Sequence, residues 1–179
     1  ARRYRSNHPG LTFGEADHPD MAATKRQSLS QLESPLPRIE SVDLFSQQLD
    51  TLLQSFDASK PLIILSEGLV NYFDKPMLTT LWTKLAQQLQ RFPTGVYLTD
   101  IYPEPVKHRL ATFIWNASKL LKLMSRSAFS FHFQSPSEAE QFFEAAGFKQ
   151  VAVYQPGDDH NPAQREHTGA LVWVIQAEA

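Results

Sequence analysis

The sequence predicts an α/β protein built on a mostly parallel sheet, and three observations carry that prediction. Stretches of strand character alternate with stretches of helical spacing along nearly the whole chain, the pattern of strand–helix–strand units. One run, Leu62–Leu65, sets four aliphatic residues behind Pro61. It is too short for a helix and has no polar alternation, which suits a central strand buried on both faces. Finally, four successive strand candidates end in an acid: Asp17, Asp43, Glu67 and Asp100. A parallel sheet brings such acids to one edge, where open α/β sheets bind their ligands.

Taken in order, Ala1–Gly10 is basic and polar, and Pro9-Gly10 would stop any helix there. Leu11–Ala16 is a short strand that leads into Asp17, and Met21–Leu32 is helical. Asp17 reads two ways, as the acid that holds a ribose hydroxyl in nucleotide-binding sheets or as a helix cap. Ser34–Pro37 is a linker. Arg38–Phe45 is a strand anchored by Ile39 and Val42, with Asp43 at its exit, and Gln47–Phe56 is a helix. Leu62–Leu65 then ends abruptly in Ser66-Glu67-Gly68, where glycine lets the backbone turn away. Asp74 is the expected N-cap of a helix to about Arg91, with Pro76 in its first turn. Leu78, Leu81, Trp82, Leu85 and Leu89 form the stripe it buries.

Val96–Ile101 is the next strand, and Pro105–Met124 a long helix. Ser125–Ser135 is irregular and aromatic, and either covers an acceptor pocket or packs the core. A helix capped by Ser135 or Ser137 closes at Gly147, with Phe142, Phe143 and Ala146 inward. Phe148–Gln155 and Gly169–Gln176 form an antiparallel hairpin at the end of the sheet.

Composition narrows the function. A net charge of -2 provides no field to recruit nucleic acid or an anionic membrane. The absence of cysteine excludes disulfides and thiol catalysis. No signal pattern opens the chain and no apolar run would span a bilayer, so a cytoplasmic location is expected. The seven glycines contain no Gly-x-Gly and no phosphate-cradling loop, which disfavours a phosphate ligand. The strand-end acids suit instead a ligand with hydroxyls, amines and positive charge. Asp158, Asp159, His160, Glu166 and His167 crowd the hairpin loop, but their spacing matches no standard site, and no metal is expected.

Phe13-Gly14-Glu15-Ala16-Asp17-His18-Pro19-Asp20, with Lys25 further on, resembles a segment of the leucine carboxyl methyltransferase family, which includes polyketide O-methyltransferases. Ser41-Val42-Asp43-Leu44 is similar to a second motif of that family, and Ser66-Glu67-Gly68-Leu69-Val70-Asn71-Tyr72-Phe73 to a third. The three agree in order and spacing. The resemblance implies a Rossmann-like methyltransferase sheet, mostly parallel with an antiparallel C-terminal strand. It implies S-adenosyl-L-methionine as cofactor and O-methylation of a small-molecule or carboxylate acceptor. Asp17 would hold the ribose hydroxyls. Asp43 and the backbone at Leu44 would sit at the adenine. Glu67 and Gly68 would face the amino-acid and ribose portion. Tyr72 would lie near the transferring methyl, or alternatively cover the start of the following helix. For a hydroxyl acceptor, His108 and His132 are the available imidazoles, although a packing or surface role suits each as well.

The family places a strand and a glycine-rich turn ahead of the Asp17 strand, and this sequence does not contain them. The first residue is Ala1 rather than Met. The expectation is a single domain over 1–179 that is the C-terminal portion of a longer one. The strands of Asp17 and Glu67 should then not be neighbours, each having an unpaired edge. Two other readings compete: a catalytically inactive remnant serving as an interaction module, and a nicotinamide-dependent reductase. The missing Gly-x-Gly disfavours the reductase. Oligomerisation is left open.

Overall fold

The computed structural model describes residues 7–8, 10–30, 38–104, 130–155 and 172–179. The expected helix Pro105–Met124 with His108, the linker Ser34–Pro37 and the acidic hairpin loop lie outside the described residues, as does nearly all of the basic amino-terminal stretch. The chain divides into two units, Ala1–Phe56 and Asp57–Ala179.

In the first unit, strand β1 (Gly14–Asp17), helix α1 (Pro19–Ser30), strand β2 (Arg38–Ser41) and helix α2 (Gln48–Gln54) follow one another. Pro19 opens α1 at the position where a missing N–H costs nothing. β1 and β2 are parallel, from Gly14 opposite Arg38 to Asp17 opposite Ser41, and Val42 N donates to the Asp17 carbonyl at 2.9 Å. In such a ladder alternate residues turn their peptide groups to alternate sides. Glu15 and Asp17 therefore bond to β2, and Gly14 and Ala16 face the other edge. On the far side of β2, Arg26 of α1 reaches the Ile39 carbonyl through Nε (3.1 Å) and Nη2 (2.7 Å). Ala22, Ile39, Val42, Leu49 and Leu53 are its buried core. β2 ends earlier than the sequence predicts, because the peptide groups after Asp43 enter a turn that the Asp43 side chain itself organises.

In the second unit, strand β3 (Leu62–Ser66) leads through a 3₁₀ turn (Val70–Tyr72) to helix α3 (Lys75–Leu89) and strand β4 (Gly95–Ile101). Helix α4 (Pro136–Ala145) and strands β5 (Gln150–Tyr154) and β6 (Trp173–Glu178) complete it. The sheet order is β3-β4-β6-β5, with β3 parallel to β4 and β6 antiparallel to both neighbours. Asp74 caps α3 by accepting from Met77 N at 2.8 Å, and the five residues of the predicted stripe are buried. Ser135, not Ser137, caps α4. Trp82 stacks on Phe143 at 3.8 Å between ring centroids and meets Phe142 edge-on, so α3 and α4 share one aromatic core. Gly95 is obligatory, since a Cβ there would collide with the Leu89 main chain.

The expected central strand is instead the outer strand of this sheet among the described residues. Leu62 N donates to the Thr94 carbonyl at 2.9 Å, so Leu62, Ile64 and Ser66 turn their peptide groups to β4, and Ile63 and Leu65 turn theirs outward. Ile63 and Leu65 are 64% and 69% exposed. The aliphatic run reports a strand suited to burial on both faces, whereas the described helices cover only one.

Candidate functional site

The carboxyl ends of β3 and β4 are joined by a chain of hydroxyls. Thr99 Oγ1 donates to the Asp100 carbonyl at 3.2 Å and therefore accepts from Ser66 Oγ at 2.8 Å. With its only proton so used, Ser66 accepts from Tyr97 OH, also at 2.8 Å. Burial pushes the Tyr97 phenol up from its ordinary pKa, so it stays a neutral donor.

Above this chain the backbone leaves the sheet. Gly68 adopts φ 64°, a left-handed conformation that glycine tolerates freely. Its N–H donates to Asp100 Oδ1 at 2.7 Å, tying the end of β3 to the end of β4. Glu67, one residue earlier, is exposed, and its carboxylate has no hydrogen bond or ion pair with the described residues. Asn71 is buried and joins the 3₁₀ turn to Tyr102 and Ser130. Tyr72 follows it and is exposed, so its ring is not part of the core. Glu67, Gly68 and Tyr72 are thus carried on one short loop.

His132, the remaining imidazole candidate, is buried beside this loop. Burial lowers its pKa, assisted by the Lys75 charge and opposed by the main chain of Phe73 and Val70 and by Asp74. Its Nε2 has no hydrogen-bond partner among the described residues. Among those residues no group of three or more His, Asp or Glu could hold a metal.

In the first unit, Asp17 and Asp43 stand at and just beyond the carboxyl ends of the parallel pair β1 and β2. Asp17 Oδ1 accepts from His18 N at 2.9 Å, which lies before α1, so it does not cap the first turn of the helix. Asp43 Oδ1 accepts from Phe45 N at 2.9 Å, fixing the turn that carries Leu44, while Gln48 Oε1 accepts from Asp43 N. Among the described residues the second oxygen of each carboxylate has no hydrogen bond. Glu15 and Lys25, both within the family-like segment, pair with each other. That explains their spacing as a strand–helix strut rather than ligand contacts.

Sequence reasoning gave Asp100 no defined role and passed over Asn71. The signal for Asn71 was a lone amide between Val70 and Tyr72, just past a strand end.

Comparison with known proteins agrees with the resemblance. The family model of leucine carboxyl methyltransferase matches residues 1–86, just under half of the chain. No curated protein sequence matches. Among solved structures, PigF with S-adenosylhomocysteine is similar at TM-score 0.64 and 15% identity, over 98% of this chain and 45% of that one. An O-methyltransferase family protein from Burkholderia thailandensis gives 0.64 and 12%, over 97% and 45%. Human N-acetylserotonin methyltransferase in complex with S-adenosylmethionine gives 0.59 and 15%, over 97% and 42%. These likenesses show a Rossmann-like methyltransferase fold, and the chain spans less than half the length of each of these proteins.

Proposed function

We propose that this chain is the C-terminal portion of an S-adenosylmethionine-dependent O-methyltransferase acting on a small-molecule or carboxylate acceptor in the cytoplasm, with neither nucleic acid nor membrane as partner. The observation that carries the proposal is the β3 exit. A bare carboxylate, Glu67, stands on a left-handed glycine turn that the Asp100 side chain fixes in place. The family match over 1–86, which contains all three motifs, supports it.

The residues present fit the cofactor. Asp17 and Asp43 each spend one oxygen on the backbone and keep one for a hydroxyl or amine. Asp17 would accept from the ribose hydroxyls, Asp43 from the adenine amino group beside Leu44, and Glu67 with Gly68 would face the amino-acid and ribose portion. When bound, the cofactor supplies a methyl on a positive sulfur, and an acceptor oxygen forms the new C–O bond as the C–S pair returns to sulfur. The chain's own contribution is to hold that geometry, with Tyr72 flanking the transfer space. A carboxylate acceptor needs no base.

On the same reading the chain is part of a larger domain. Residues upstream of Ala1 would supply a further parallel strand for the outward-facing peptide groups of Ile63 and Leu65. Calorimetric titration of S-adenosylmethionine into the natural protein, upstream residues included, tests the function. Binding is expected in the wild type, with Glu67→Gln weaker by about 1–3 kcal/mol, the scale for a charge-assisted hydrogen bond. Equal affinity in Glu67→Gln and Asp17→Asn would sink the assignment of these acids.

A further inference from the structure

We infer that Asn71 is a positioning residue that sets the place of Tyr72, separately from the bond that sets Glu67. The inference rests on the methyltransferase reading for its consequence, though not for its geometry. Asn71 is 2% exposed. Its Oδ1 accepts from Tyr102 N at 2.9 Å, and its Nδ2 donates to the Tyr102 carbonyl at 2.9 Å. One side chain thus engages both peptide groups of the residue after β4, as an adjacent strand would. The second N–H of Nδ2 reaches the Ser130 carbonyl at 2.7 Å, and the Asn71 main-chain carbonyl accepts from Ser130 N at 2.7 Å.

Both amide donors and one acceptor lone pair are therefore committed to main chain. No other side chain of this length offers an acceptor and two donors in one plane. Aspartate keeps the acceptor and loses both donations, and leucine loses all three. The join continues beyond Asn71, since Glu104 N donates to the Phe133 carbonyl at 2.8 Å. Gln134 Nε2 donates to Glu104 Oε2 at 2.9 Å.

Besides the His132 contacts with the main chain of Val70 and Phe73, two side chains tie the loop between β3 and α3 to the end of β4. Asp100 holds Gly68 and so the Glu67 end. Asn71 holds the Tyr72 end, one residue from the exposed ring. The two pins share no hydrogen-bonding atom, and the inference is that each sets its own end of the loop. Losing Asn71 should displace Tyr72 and leave cofactor binding through Glu67 intact. A residue that only stabilised the fold would lower the unfolding temperature without moving Tyr72 in the folded protein.

The test uses the natural protein labelled with 3-fluorotyrosine, the Tyr72 fluorine resonance being assigned by its loss in Tyr72→Phe. In Asn71→Ala the Tyr72 signal should shift and broaden while that of Tyr97, in the sheet core, stays. S-adenosylmethionine affinity should remain within about twofold, the tolerance for independent sites. An unmoved Tyr72 signal in the folded variant overturns the inference. So does a loss of affinity that accompanies the shift, because the two pins would then be one. Should Asn71→Ala fail to fold, Asn71→Asp, which retains the acceptor for Tyr102, decides by the same readouts. A wild type that binds no S-adenosylmethionine overturns the proposed function instead, and the fluorine signals still decide the role of Asn71.

Discussion

Each strand-end acid carries a different load. Asp17 and Asp43 give one oxygen to a neighbouring N–H, Asp100 serves Gly68, and Glu67 serves nothing described. Position alone could not sort them, since the sequence shows four acids at four strand ends and not the direction of each side chain. Under the proposed function Asp43 would contact only the adenine end of the ligand. In Asp43→Ala, adenosine-containing ligands should bind more weakly while free methionine is unaffected, as competition against S-adenosylhomocysteine would measure. Equal weakening of both would contradict an adenine contact. His132 gives a stability prediction with a definite sign. Its folded pKa lies below the ordinary 6.5, so protons bind the unfolded chain first. The stabilisation held by the neutral imidazole is complete above about pH 6.5 and is lost as pH falls toward the lowered folded value. The unfolding midpoint should drop over that window in the wild type, and the drop should flatten in His132→Phe. A wild-type profile that is flat from neutrality to about pH 5 would contradict the burial argument.

Elements with strong local chemistry were readable in advance. The Asp74 cap with Pro76 and the five-residue stripe of α3 came through unchanged, because N-cap geometry and helical spacing depend on neighbours in sequence. Asp74→Ala should accordingly cost about 1 kcal/mol in denaturant unfolding. No measurable change would mean that the cap bond to Met77 is solvated. β3 was read correctly as a strand and wrongly as buried on both faces. Its aliphatic run suits burial on both faces, whereas Ile63 and Leu65 are exposed. Ile63 and Leu65 therefore mark a sticky edge in the 179-residue chain. Light scattering of that chain should show self-association that Ile63→Lys reduces, since a charge on an edge strand opposes further pairing. A monomer indifferent to Ile63→Lys would mean that the edge is already covered.

At the scale of the molecule, the described residues form the four-stranded sheet β3-β4-β6-β5, with the C-terminal strand antiparallel as the resemblance implied, and the parallel pair β1 and β2. The order was readable because connections and strand signals are local, whereas the partners of Asn71 join residues 31 and 59 positions away, and no local pattern encodes those. The acceptor was not readable either, since an aromatic stretch such as Ser125–Ser135 has the same pattern whether it lines a pocket or packs a core. The central claim is that acids at strand ends hold S-adenosylmethionine. A crystal structure of the protein with S-adenosylhomocysteine tests it most directly. The prediction is a ribose held by Asp17, an adenine beside Asp43 and Leu44, and the amino-acid portion within hydrogen-bonding reach of the Glu67–Gly68 turn. A ligand bound elsewhere, with Asp17 and Glu67 both facing bulk solvent, would contradict it.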